Sequence, residues 1–294
     1  MNKRILILAV FVLSFIVNAP AQLLWKVSGN GLTKPSYLFG THHLIEKEQI
    51  RDFDKILALA GQADAVVGEM EMKNMLGMQL KMLKGVMMRD STERELMSEA
   101  DYNMVDAEFK QTMNMGLTKL NKMKPMMLSA LYSIKIYSKL NNLRKQPEGV
   151  DMLFQNIAHK NKKSVIGLET IEQQIDIMFN SIPLKRQADL LVSEVKEKEK
   201  GVENLKKMNA AYLAGDLAQL EALNNDDEMT ADERKIMIGA RNDAWMKKLI
   251  ALIPDKSCFV AVGCMHLTGE AGLISQLRKI RFKNFSIELH TFDI

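Results

Sequence analysis

Two short segments near opposite ends of the chain share one pattern. Leu38-Phe39-Gly40-Thr41-His42-His43-Leu44 and Ala261-Val262-Gly263-Cys264-Met265-His266-Leu267 each run from apolar residues to glycine, then two residues, then histidine and leucine. Glycine permits a tight turn or a close backbone approach where a strand stops. A histidine three positions later projects from the turn, and its imidazole can bind a metal or move a proton. Each motif alone also fits a hydrogen-bonded histidine at a turn. The repetition, each time after a strand-like run, is what marks His43 and His266.

Carboxylates follow two other apolar runs. Glu69 follows Ala65-Val66-Val67-Gly68, and Glu169 follows Val165-Ile166-Gly167-Leu168. A carboxylate there can be a metal ligand or a general base, or a helix-start acid favoured by the dipole. Glu71 is an alternative to Glu69, since one face of a strand admits both. Arg241 could stabilise an oxyanion or bind a substrate carboxylate, or could be an ordinary salt-bridging arginine. His159 and His290 read as surface or structural residues. If His43, His266 and Glu69 hold a divalent ion, with Glu169 as a further ligand or orienting group, the ion acidifies a bound water and polarises a scissile carbonyl. Alternatively, Glu69 is the base. Two histidines and a carboxylate suit Zn, Mn, Co or Fe.

These residues need strand ends to hold them. Short Val/Ile-rich runs at 36–39, 65–67, 164–166, 258–262 and 285–289 alternate with helical patterns, which predicts an α/β fold, a central sheet covered by helices. In open α/β sheets ligands sit beyond the carboxyl ends of the strands, so the two histidines would converge on one crevice. Helical patterns fill 73–145, rich in methionine, and 184–250, where alternating Lys and Glu at 196–200 mark a solvated face. The methionines could favour a soft ion such as Cu(I). Their irregular spacing among Lys, Glu and Asp reads instead as adaptable packing material. No Ser/Gly-rich linker divides the chain, so residues 22–294 read as one domain with two helical insertions. Cys258 and Cys264 flank a strand-like run. At about 3.3 Å per residue they lie beyond disulfide reach and are expected as buried free thiols.

The chain opens on an export pattern: Lys3 and Arg4, the apolar run Ile5–Val17, and Ala19-Pro20-Ala21 before Gln22. A cleaved signal peptide over residues 1–21 is expected, and with it a periplasmic or secreted protein. An uncleaved anchor is the alternative, and the only membrane attachment the sequence suggests. The net charge of +4 falls to +2 without Lys3 and Arg4. Nucleic-acid binding therefore gets no electrostatic support. With 47% hydrophobic and 26% charged residues the chain can build a sizeable core.

Taken together and in order, the motifs resemble the TraB/GumN family, which includes the Tiki-type proteins. The matching segments are Tyr37–His43, Asp64–Met70, Gly149–Asp151, Gly167–Thr170 with Gln174, Arg241-Asn242 with Trp245, and Val262–Leu267. The family pairs two Gly-x-x-His motifs with a glutamate between them. His42 stands where the family often has an apolar residue; it could be an extra ligand, but is expected to point the other way from His43. The resemblance implies a metal-dependent hydrolase, by analogy with Tiki-type members a peptidase. It implies that His43, Glu69 and His266 carry the centre, with Mn or Co as ion and Zn admitted by the ligand types. The expected partner is a peptide or small-molecule substrate. A haem- or other ligand-binding protein, and a non-catalytic peptide-sequestering protein, are the alternatives.

Overall fold

The computed structural model describes residues 23–29, 31–32, 34–143, 145, 148–225, 228–282, 285–286 and 288–291; the expected export segment, residues 1–21, lies outside them. Five strands precede the C-terminal ones: β1 (Leu24–Ser28), β2 (Ser36–Thr41), β3 (Ala65–Gly68), β4 (Ser164–Gly167) and β5 (Cys258–Gly263). The expected strand 285–289 is instead two pieces. β6 (Arg281–Phe282) pairs with β7 (Phe285–Ser286), while β8 (Glu288–Thr291) joins the main sheet. The order in that sheet is β4-β3-β5-β2-β1-β8. The four strands β4, β3, β5 and β2 are parallel, and β1 and β8 close one edge antiparallel. The fold is α/β, as the alternating pattern predicts.

The α1 helix (Phe53–Gln62) links β2 to β3. Between β3 and β4 run α2 (Met75–Gly85), α3 (Glu93–Leu96), α4 (Glu99–Met113), α5 (Leu117–Leu120), α6 (Pro125–Leu140) and α7 (Val150–Lys160). Between β4 and β5 run α8 (Ile171–Ile175), α9 (Leu184–Lys196), α10 (Lys198–Ala214), α11 (Leu217–Asn225), α12 (Ala231–Arg234) and α13 (Ala240–Leu252). The α14 helix (Leu273–Arg278) follows β5.

Successive strand residues point to opposite faces, and both faces are covered. Phe39, Val66 and Phe259 pack with Ile56 of α1 and Phe154 of α7. Leu38, Val67, Val260 and Val262 pack with Trp245 and Leu249 of α13. The Phe154 ring meets Phe39 edge-on with centroids 5.6 Å apart and lies 4.8 Å from Phe259. Truncating Phe154 to alanine would cost about 3–5 kcal/mol. The two helical insertions share a second core, where Phe109 of α4, Tyr132 of α6 and Leu191 of α9 meet. Met104, Met113 and Met123 pack against it, and Met78, Met82, Met126 and Met127 pack around Ile171, Ile175 and Phe179. Most of the methionine run is thus packing material. Cys258 and Cys264 are buried and free.

Candidate functional site

The four parallel strands end at one edge, and every expected site residue lies there. Register puts Thr41 beside Gly263 and Gly68 beside both Gly167 and Ala261. The two glycines of the repeated motif serve this convergence. A Cβ on Gly40 would come within 2.9 Å of Leu267 Cδ1 and 3.1 Å of Cys264, so the first motif packs against the turn of the second. A Cβ on Gly263 would stand 3.2 Å from Glu69 Oε1, the oxygen that accepts the Gly263 N–H at 2.9 Å.

At the centre is the Arg241 guanidinium. Its Nη2 donates to Glu69 Oε2 at 2.7 Å and Glu169 Oε1 at 2.6 Å, and its Nε donates to Glu169 Oε2 at 3.1 Å. Nη1 reaches the Met237 carbonyl at 3.2 Å and His266 Nε2 at 3.1 Å. The planar fork matches Glu169 bidentately, which lysine could not do. Burial pulls the Arg241 pKa down, but the bonds and charges of Glu169 and Glu69 raise it overall. Gln174 Nε2 bridges the carboxylates, at 2.9 Å from Glu169 and 3.3 Å from Glu69, and Trp245 Nε1 donates to Glu169 at 3.3 Å. Two π-helical turns, Asp176–Asn180 and Lys235–Gly239, stand next to Gln174 and Arg241. Such turns frequently accompany functional sites.

His266 is buried in the 3₁₀ turn after β5, 4.3 Å from the Trp245 ring. Asn242 Nδ2 donates to the carbonyls of His266 and Ala271, which turns its Oδ1 to His266 Nδ1 at 2.7 Å. An acceptor there requires a proton on Nδ1, so Nε2 carries the lone pair that meets Arg241. Burial lowers the His266 pKa to about 4 against the pull of Glu69, with Arg241 and His43 adding to the fall. The ring is therefore neutral at pH 7.

His43 differs. Its side chain is 68% exposed, and its Nδ1 lies 3.2 Å from Asp151 Oδ2 at the start of α7. Thr41 Oγ1 donates to the other Asp151 oxygen at 2.9 Å. The close Asp151 carboxylate, with Glu69 helping, raises His43 to about 9 despite desolvation and Arg241. Burial pushes Glu69 up, but His266, Arg241, the Gly263 N–H and His43 bring it below the ordinary value. The strand ends thus present an imidazolium at His43 and a carboxylate at Glu69, whose side chain is 15% exposed. Each is near enough to shift the other's charge equilibrium.

The structure brings His43, Glu69, Glu169, Arg241 and His266 together. Arg241 faces inward onto the two carboxylates. Glu71 pairs with Lys73 outside the cluster. His42 accepts the Leu44 N–H and packs 5.2 Å from the Tyr212 ring; burial and then His43 lower it to about 4. His159 and His290 are exposed. Sequence reasoning assigned no role to Asp151, Gln174 or Asn242. All three fall inside segments that carry the family resemblance, which was the signal available.

The divalent ion that the resemblance implies would have to draw on these same donors. Glu69 Oε1 and His266 Nε2 are 4.0 Å apart, but the guanidinium already engages His266 Nε2, Glu69 Oε2 and both oxygens of Glu169. Among the described residues no three of His, Cys, Asp or Glu converge to hold a metal. As arranged, the donor set does not fit the ion, because Arg241 is already the cation of the centre.

A sequence model of the TraB/PrgY/gumN family matches residues 23–283, nearly the whole chain. No curated protein and no solved structure gives a significant match.

Proposed function

Because this chain belongs to the TraB/PrgY/gumN family, we propose that it is an exported hydrolase that cleaves a carbonyl-centred bond, in the first instance a peptide bond. The observation that carries the reading is the split of charge between His43 and Glu69. Two titratable groups in one cleft, driven in opposite directions by their surroundings, define an acid and a base. The export pattern over residues 1–21 supports the location, and the Tiki-type resemblance supports the peptide substrate.

In this reading a water bound at Glu69 gives a proton to the carboxylate as its oxygen attacks the carbonyl carbon. His43, protonated and held by Asp151, donates a hydrogen bond to the developing oxyanion. It then gives its proton to the leaving nitrogen as the C–N bond breaks. Glu69 returns the water's proton to His43, which restores both groups. Arg241, Gln174 and the Gly263 N–H fix the Glu69 carboxylate, and neutral His266 caps Arg241 from below. No step runs through an ion.

The test is a pH–rate profile on a quenched fluorescent peptide library, with elemental analysis and a visible spectrum of protein purified without a His tag. Activity should survive chelation and fall as pH rises through about 9, where His43 loses its proton. A metal-bound hydroxide gives the opposite limb, rising through about pH 7. That limb, with stoichiometric Mn, Co or Zn, would refute the assignment. A haem spectrum would replace it with a binding protein, and peptide binding without cleavage would replace it with a sequestering one.

A further inference from the structure

The α2 helix buries none of its residues fully. Met78, Met82 and Gly85 face inward onto Ile175 and its neighbours. The opposite side carries Leu76, Leu80 and Leu83, exposed by 69%, 53% and 57%, and Met87 continues the line just past the helix. Spacings of four and three residues put the three leucines on one stripe. Such an unpartnered apolar line is unlike the scattered single residues of an ordinary surface.

A cavity of 520 Å³ opens at the end of this stripe. Met87 belongs to both features, and Lys84, Arg89 and Lys124 line the cavity with it. Lys124 is tied to the Gly85 carbonyl at 2.6 Å and to Asn180. Lys122 reaches over the rim to the carbonyls of Arg89 and Ser91 at 3.3 and 3.2 Å. Among the described residues no carboxylate lies within ion-pair distance of Lys84, Arg89 or Lys124. Asp90 is the acid in the lining, and Asp176 acts on Lys124 from nearby. Cations therefore outnumber acids around a hollow beside an apolar ridge.

We propose that this face docks on a bilayer containing anionic phospholipid, with the α2 leucines seated among the acyl chains and a headgroup phosphate in the Lys84–Arg89–Lys124 cavity. The two features call for one ligand with an apolar part and an anionic part side by side, which is what a phospholipid surface offers. Exposed leucines beside basic residues can seat a protein face at such an interface. The charge attracts anionic lipid at about 1 kcal/mol per basic residue. Among the described residues no helix is long and apolar enough to cross a membrane. It leaves the hydrolase reading untouched, since no residue of the stripe or cavity belongs to the His43–Glu69 cleft.

The experiment is vesicle flotation of the purified chain, with its N-terminus read by intact mass so that any retained apolar segment before residue 22 is accounted for. Vesicles of phosphatidylcholine alone are compared with vesicles holding three parts in ten phosphatidylglycerol. Binding should require phosphatidylglycerol and weaken with salt. Lys84→Glu with Arg89→Glu should lower it about thirtyfold or more, and Leu76→Ser with Leu80→Ser and Leu83→Ser at least about tenfold. All these positions are exposed or at the cavity rim, and circular dichroism checks that each variant folds. Three results would overturn the proposal: no preference for phosphatidylglycerol, serine variants that bind as well as the parent, or full competition by millimolar inorganic phosphate. A dimer in light scattering that the serine variants dissolve, without vesicle binding, would assign the stripe to a second copy instead.

Discussion

Glu93 should make this protein less stable as the pH rises from 4.5 to 8, and Glu93→Gln should remove that dependence. The residue is fully buried at the start of α3, and neither carboxyl oxygen has a hydrogen-bond partner. Burial raises its pKa from 4.5 to about 8. The folded state thus prefers the neutral acid, whereas the unfolded chain ionises near the ordinary value. Stability from this group is present in full below pH 4.5 and is lost as pH rises through about 8. At 1.36 kcal/mol per pH unit, the loss is about 3 kcal/mol between pH 4.5 and 7, and approaches 5 kcal/mol beyond pH 8. Glutamine is neutral throughout. Its amide adds a constant penalty for an unsatisfied group, but no slope. Urea unfolding of parent and variant at half-unit pH steps from 4.5 to 8.5 measures the difference directly. The gap should shift in favour of the variant by about 3 kcal/mol between pH 4.5 and 7. Parallel curves would refute the reasoning, since they would mean that Glu93 finds a partner or water in the folded protein.

Three further outcomes follow from the cleft and its supports. Asp151→Asn should bring the His43 pKa down from about 9, read by imidazole proton shifts in NMR, and should move the alkaline limb of activity to lower pH. Arg241→Met should leave Glu69 and Glu169 as buried carboxylates without their counter-charge. A cost of about 3–5 kcal/mol is expected in urea unfolding, and Arg241→Lys should recover only part of it because the bidentate fork is lost. Cys258 and Cys264, whose thiols burial raises to about 11 and about 12, should both titrate as free thiols, and only after denaturation.

Much of the arrangement is legible in the chain itself. Strand runs that end in glycine, helical stretches between them and histidine three residues after two of those glycines are local facts. They arise from side-chain periodicity and from the backbone that glycine permits, and the parallel strands carry the motifs to one edge as that pattern predicts. Leu24–Ser28 carries no strand signal of its own, because a five-residue segment with Lys26 at its middle gains its pairing from β2 on one side and β8 on the other. The C-terminal run has the pattern of one strand, although its pieces serve two different sheets. What only the tertiary structure decided is which atoms meet. Glu69 prevails over Glu71 because the Gly263 N–H and Arg241 reach it across strands. Asp151, 108 residues from His43 along the chain, sets that histidine's charge. Arg241 joins Glu69, Glu169 and His266 because a residue 172 positions from Glu69 folds back onto it. Spacing along a chain fixes periodicity and turns, but burial and charge pairing depend on which elements pack together, and that is decided only when the sheet and its helices close around one another.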